Sequence, residues 1–268
     1  MTIASPDTSA AGAPAPSADQ PKALVRLEGV EHFYGGRILI LGPVDLEIRE
    51  GEFLAFVGPS GCGKSTLLRI VAGLLPPTRG VVWLGDRPLR GVNPRAAVVF
   101  QSFALFPWMP VVDNVALGLE ARGLGVHERV RRAEKYIEMV GLSGYERAYP
   151  RELSRGMKQL VGVARALALE PELLCMDEPF SALDVLTARN LRDLVLDLWA
   201  SPRVATKTIL LVTHSIEEAV EMSDRVAVFK ANPGRIAQIV DLTGLPRPRR
   251  AAMPAVRETI DRMYGLLV

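Results

Sequence analysis

Apolar and polar residues alternate along two early stretches, Leu24-Val25-Arg26-Leu27 and Val44-Asp45-Leu46-Glu47-Ile48, as they do in strands with one covered face. Phe53-Leu54-Ala55-Phe56-Val57 holds no polar residue and is stopped by Gly58-Pro59, the pattern of a strand covered on both faces. Three further runs have the same texture: Ala96 to Phe100, Leu173 to Met176 and Thr208 to Val212. Between them the period changes. Val126, Val130, Ala133, Ile137 and Val140 recur three or four apart among Glu and Arg, which predicts an amphipathic helix ended by Gly141. Strands alternating with helices predict an α/β fold with a mostly parallel, helix-covered sheet. The alternating stretches before Gly51 and at Val81–Leu84 predict a small antiparallel layer beside it, and residues 104 to about 160 a mostly helical insertion.

The same patterning sets the limits of the folded part. Residues 1–22 are rich in Ala, Pro and Ser and carry too little apolar surface to offset the entropy of ordering them, so they predict a disordered tail. Residues 23–245 form the domain proper. Beyond it, 246–268 predicts a linker and a short helix, with Pro246-Arg247-Pro248-Arg249-Arg250 as a solvated, structure-breaking segment. The 268 residues are 49% hydrophobic and 23% charged, the make-up of an ordinary globular protein. Lys and Arg number 32 against 30 Asp and Glu, and the resulting charge of +2 lacks the basic excess of a dedicated nucleic-acid binder. Two cysteines, Cys62 and Cys175, build no disulfide framework and fit a reducing compartment. No run approaches the roughly 18 apolar residues of a membrane span.

Candidate chemistry begins at Gly58-Pro59-Ser60-Gly61-Cys62-Gly63-Lys64-Ser65-Thr66, a full match to the phosphate-binding loop, placed directly after a buried-type strand. Glycines let successive backbone N–H groups turn inward around an oxyanion, and the helix starting near Lys64 adds its positive end. Lys64 is then the residue that reaches the β- and γ-phosphates, and the Ser65 hydroxyl a ligand of Mg²⁺. Leu173-Leu174-Cys175-Met176-Asp177-Glu178 delivers two carboxylates at the end of a second apolar strand. Asp177 is the candidate to hold Mg²⁺ and Glu178 the candidate to polarise an attacking water. Cys62 lies at a helix N-terminus, where a thiol ionises more readily, but its preferred reading is simply a small packing side chain.

With these elements in this order, the chain resembles the ATP-binding cassette family, and within it the ATPase subunit of a bacterial importer, over about Leu24 to Leu245. The resemblance implies a P-loop core with an antiparallel β subdomain and a helical subdomain, and ATP with Mg²⁺ as the nucleotide. It further implies that Tyr34, ahead of Gly35-Gly36, stacks on adenine. Gln101 matches the family glutamine that touches Mg²⁺ and relays nucleotide state to membrane subunits. Ser181-Ala182-Leu183-Asp184 looks like the loop that pairs two nucleotide domains, and His214 matches the histidine that contacts the γ-phosphate. The family signature Leu-Ser-Gly-Gly-Gln stands here as Leu153-Ser154-Arg155-Gly156-Met157. Ser154 and Gly156 keep the groups that meet the γ-phosphate bound by the other subunit. Arg155, Met157 and Leu160 depart from the common pattern, which implies a moderately altered rate of hydrolysis.

The run Ser102-Phe103-Ala104-Leu105-Phe106-Pro107-Trp108-Met109-Pro110 is aromatic, proline-broken and uncharged, so some of its rings are expected to line a surface groove. In the family this region receives a coupling helix of the membrane subunit. Phe106-Pro107-Trp108 and Ala231-Asn232-Pro233-Gly234-Arg235 are similar to the nitrate, sulfonate and taurine importer branch. The resemblance thus implies a peripheral protein on the cytoplasmic face of the inner membrane. It implies a head-to-tail homodimer under two transmembrane permease subunits, served indirectly by a periplasmic solute-binding protein, with no nucleic acid. Two other readings stay open: a soluble cassette ATPase acting on nucleic acid or ribosomes, and a regulatory ATP-binding subunit with weak turnover.

Overall fold

Two sheets carry the fold in the computed structural model, which describes residues 22–267. Except for Lys22, the expected tail lies outside the described residues. The antiparallel layer pairs β1 (Ala23–Tyr34), β2 (Ile38–Arg49), β4 (Arg79–Leu84) and the two-residue β5 (Arg87–Pro88) in the order β2-β1-β4-β5. The larger sheet holds β3 (Phe53–Val57), β6 (Ala96–Val99), β7 (Leu173–Asp177), β8 (Thr208–Thr213), β9 (Arg225–Lys230) and β10 (Arg235–Asp241). Its order is β10-β9-β3-β8-β7-β6, parallel throughout except for the edge pair β10-β9.

The unbroken apolar run of β3 has a direct cause. Successive side chains point to opposite faces of a sheet. Phe53, Ala55 and Val57 join one core together with the helices, while Leu54 and Phe56 join a second core with Leu24, Val25 and Ile48 of the antiparallel layer. That second core also takes in Leu67 and Leu68 of α1 (Lys64–Val71). With each large side chain so buried contributing about 1.5–3 kcal/mol, neither face of β3 tolerates a polar residue.

The helical insertion consists of α2 (Val111–Ala121), α3 (Val126–Met139), a 3-10 turn at Pro150–Glu152 and α4 (Arg155–Ala168). Helix α3 stops where Gly141 adopts φ 75°, with Leu142 N–H donating back to Ile137 O at 3.0 Å. Its stripe is only partly used: Ala133 and Ile137 are buried, whereas Val126 is 60% exposed. Three more helices follow, α5 (Val185–Ala200), α6 (Ile216–Met222) and α7 (Pro254–Leu267). Among the described residues, no helix is long and apolar enough to cross a membrane.

The segment Pro246–Arg250 overturns the expectation of a solvated linker. Arg249 is 2% exposed, and its guanidinium donates to the carbonyls of Leu242 (2.6 Å), Leu245, Val220 and Ser223. Arg247 donates to Met222 O and to Asp224 Oδ1, both at 2.8 Å, and lies over the Trp199 ring. The prolines do deny this stretch a helix. Its arginines instead donate to carbonyls at the C-terminal end of α6 and in the turn after β10.

Candidate active site

Because β3, β6, β7 and β8 run parallel, the loops that leave their carboxyl ends emerge along one edge of the sheet. After β3 the chain forms the phosphate loop, whose last residue, Gly63 (φ 91°), hands over to α1. Lys64 is buried and folds back across its own loop, Nζ donating to Gly58 O at 2.7 Å and Pro59 O at 2.9 Å. Ser60 and Gly61 form the exposed tip. Among the described residues, no acceptor meets the backbone N–H of Gly61, Gly63, Ser65 or Thr66, that of Lys64 donates to the Cys62 sulfur, and the first turn of α1 holds no acidic residue. Unmet amides, a buried ammonium and a helix N-terminus form a cradle that fits a polyphosphate.

Cys62 differs from one of the two readings its sequence allows. It is 1% exposed, and burial pushes its thiol up, against the pull of Lys64 whose Nζ lies 3.8 Å from Sγ. It serves as a small packing residue inside the loop, not as a readily ionised thiol.

Ser65 Oγ donates to Asp177 Oδ1 at 2.6 Å, and Asp177 is 6% exposed at the end of β7. A hydroxyl and a carboxylate side by side are hard oxygen donors of the kind Mg²⁺ takes, so these two residues fit the ion. Arg69, one helical turn further along α1, stands 3.6 Å from Asp177 Oδ2. Gln101, two residues past β6, makes no hydrogen bond to either of them. Its Nε2 donates to Glu178 Oε2 at 3.2 Å and to Ser181 Oγ at 3.1 Å.

Glu178 adopts φ 47°, a left-handed conformation that costs a side-chain-bearing residue on the order of 1–3 kcal/mol and concentrates at functional sites. Three bonds hold it there: its N–H donates to Val212 O at 2.9 Å, and its carbonyl accepts from Ser181 Oγ at 3.0 Å and Ser181 N–H at 3.4 Å. His214 follows β8 and brings Nδ1 to 3.8 Å from Glu178 Oε2. Its neighbours are anchored to α6. Thr213 Oγ1 donates to Glu218 Oε2 at 2.5 Å, Ser215 Oγ accepts from Glu218 N–H, and burial pushes the Glu218 carboxyl up.

Four candidates stand apart from this cluster, with no hydrogen bond or ion pair to it among the described residues. Tyr34 ends β1 and is 71% exposed. Its hairpin leans on the phosphate loop, since Leu41 of β2 would lie 3.2 Å from a Cβ on Gly63. Ser154 caps α4, accepting from Met157 N–H at 3.2 Å, and stays exposed. Gly156 is turned inward, where any side chain would collide with Thr187 of α5. Asp184 caps α5 through Thr187 N–H at 3.0 Å, and the Thr187 hydroxyl together with that N–H holds its carboxyl below the usual range.

The site also contains residues that sequence reasoning passed over. Ser181 bridges Gln101 and Glu178 but appears in the sequence only as part of a pairing loop. Arg69 shows no local signal. Beyond Gln101 the aromatic run is pinned by the fully buried Asn114, which bonds Phe106 N and O and the carbonyls of Met109 and Pro110. Phe106 meets Trp108 edge-on at 5.4 Å, and Trp108 is 68% exposed.

The ABC transporter family profile matches residues 41–181, more than half of the chain. The taurine import ATP-binding protein TauB of Pseudomonas aeruginosa is 46% identical over 204 residues, 76% of each chain. The aliphatic sulfonates import ATP-binding protein SsuB of Bacillus licheniformis is 44% identical over 215 residues, 80% of this chain and 82% of that one. Among solved structures, the dimeric post-hydrolysis state of an ATP-binding cassette bound to ADP and Pi superposes with a TM-score of 0.72 at 32% identity. That match covers 82% of this chain and 100% of the other. A phosphate cradle on a parallel sheet, a family profile and relatives aligned over most of their length lead to one conclusion: this chain belongs to the ABC transporter family.

Proposed function

We propose that this chain is the ATP-hydrolysing subunit of an importer for a small anion of the nitrate, sulfonate or taurine kind, acting as a head-to-tail homodimer beneath two membrane-spanning subunits. Membership of the family makes it an ATPase. The observation that carries the residue assignment is the meeting of Ser65 with Asp177, and of Gln101 and His214 with Glu178, on one sheet edge.

In this reading the free amides between Gly61 and Thr66 and the Lys64 ammonium hold the β- and γ-phosphates, and Ser65 and Asp177 would hold Mg²⁺. The ion, when bound, neutralises phosphate charge. Glu178 accepts a proton from the water that attacks the γ-phosphorus, the bond to the β–γ bridging oxygen breaks, and ADP and inorganic phosphate leave. Gln101 and His214 flank the Glu178 carboxylate and fix its direction. Ser154, exposed at the N-terminus of α4, is free to meet the γ-phosphate on a second copy. The loop around Trp108 offers the membrane subunit an exposed aromatic contact on the cytoplasmic side. The cargo class is supported by the sulfonate and taurine relatives, and a solute-binding protein outside the membrane delivers it.

The test is Glu178→Gln in the full chain assembled with its membrane subunits. Phosphate release is expected to fall by at least about a hundredfold while MgATP binding persists. Parent-level release by the variant overturns the assignment. Hydrolysis unmoved by sulfonates, taurine and nitrate but stimulated by another solute class overturns the cargo.

A further inference from the structure

We infer that Arg165 is a positioning residue for Gln101, clamping the backbone turn that places the Gln101 amide against Glu178. This rests on the hydrolytic role proposed above. Arg165 lies on α4, about three turns after the Ser154 cap. Its Nη1 donates to Ala104 O at 2.6 Å and its Nη2 to Phe103 O at 3.0 Å.

The two residues that accept these bonds are in an unusual state. Phe103 has φ 62° and Ala104 has φ 49°, both in the left-handed region that side-chain-bearing residues rarely occupy. The turn is tight as well: Ala104 N–H donates to Ser102 O at 2.7 Å, and Phe103 N–H to Phe100 O at 3.3 Å. Two successive left-handed residues do not hold themselves, so an outside partner must stabilise them. A planar guanidinium reaching two consecutive carbonyls is that partner, and a lysine ammonium, as a single point charge, cannot copy it.

The loop also rests directly on the helix. A Cβ on Gly162, three residues before Arg165, would lie 3.7 Å from Phe103 O. Helix α4 therefore carries the exposed Ser154 at its start and the support of the Gln101 turn near its end. A tilt of α4 when its N-terminus engages nucleotide on a second copy moves the Phe103 and Ala104 carbonyls through Arg165, and with them Gln101.

The test begins without nucleotide. Chymotrypsin cuts after Phe103 when the turn is released, and Arg165→Met, which keeps the apolar stem, is expected to raise that rate at least about tenfold. Arg165→Lys is expected to fall between this variant and the parent. With MgATP, Arg165→Met is expected to lower kcat about tenfold, as Gln101→Ala does, while the KM for ATP stays within about twofold. The double variant is expected to be no slower than the slower single one. Unchanged cleavage, or a double variant whose loss is the product of the single losses, overturns the clamp. If Arg165→Met does not fold, Arg165→Lys carries the same comparisons. A parent that releases no phosphate defeats the proposed function, and the nucleotide-free cleavage then decides the clamp by itself.

Discussion

A side chain on Gly234 would run into the carbonyl oxygen of Cys62. The turn between β9 and β10 thus sits directly against the phosphate loop, with Gly234 N–H donating to Ile40 O at 2.9 Å and Gly234 O accepting from Gly42 N–H at 2.8 Å. Gly234 buttresses the cradle from behind, a role that its place in the sequence shows only as a branch resemblance.

Gly234→Ala is therefore expected to push the loop out of shape and leave the rest of the fold standing. Overpacking of this kind costs about 1–3 kcal/mol. At about 1.4 kcal/mol per tenfold, ATP affinity should fall roughly tenfold. Titration with a fluorescent ATP analogue measures it, and an unchanged Kd would show that the loop does not depend on this contact.

The arginines of the Pro246–Arg250 segment should separate sharply in unfolding experiments. Arg249→Ala strands the buried carbonyls of Val220 and Ser223 and is expected to cost about 3–5 kcal/mol. Arg250, half-exposed beside Asp193, should cost less than about 1 kcal/mol when replaced by Ala. Urea midpoints decide between this and a solvated linker, for which both losses would be equally small.

A third prediction concerns pH. Glu52 is 7% exposed and paired with Arg225 at 2.9 Å, yet burial outweighs that pairing and raises its carboxyl above the usual 4.5. The folded chain then holds this proton more tightly than the unfolded chain. Glu52 accordingly subtracts stability as pH climbs from about 4.5 through its folded value. In Glu52→Gln that loss is absent, so the difference in urea midpoint between variant and parent should move toward the variant over this window. A difference that stays flat would show that Glu52 titrates normally.

What could be read in advance follows from where each signal lives. Strand β3 announces itself because both of its faces are covered, so no residue in it is free to be polar. Ser65 and Asp177, 112 residues apart, are both visible because a phosphate loop needs an oxygen partner at a neighbouring strand end. Val126 misleads, since it keeps the helical period and still faces solvent. Arg165 and Arg249 leave no trace in the pattern. Each bonds main-chain carbonyls, which every residue type supplies, and the partners of Arg165 are 61 and 62 residues away.

Strand β3 has two neighbours in its sheet, β8 and β9, and both lie beyond Lys207. A ribosome that has released the chain only up to that residue has exposed β3 and the whole loop at 58–66 without either of the strands that flank β3. The seat of this loop is therefore assembled late in synthesis, and until then the apolar residues 53–57 lack the strands that shield them from aggregation.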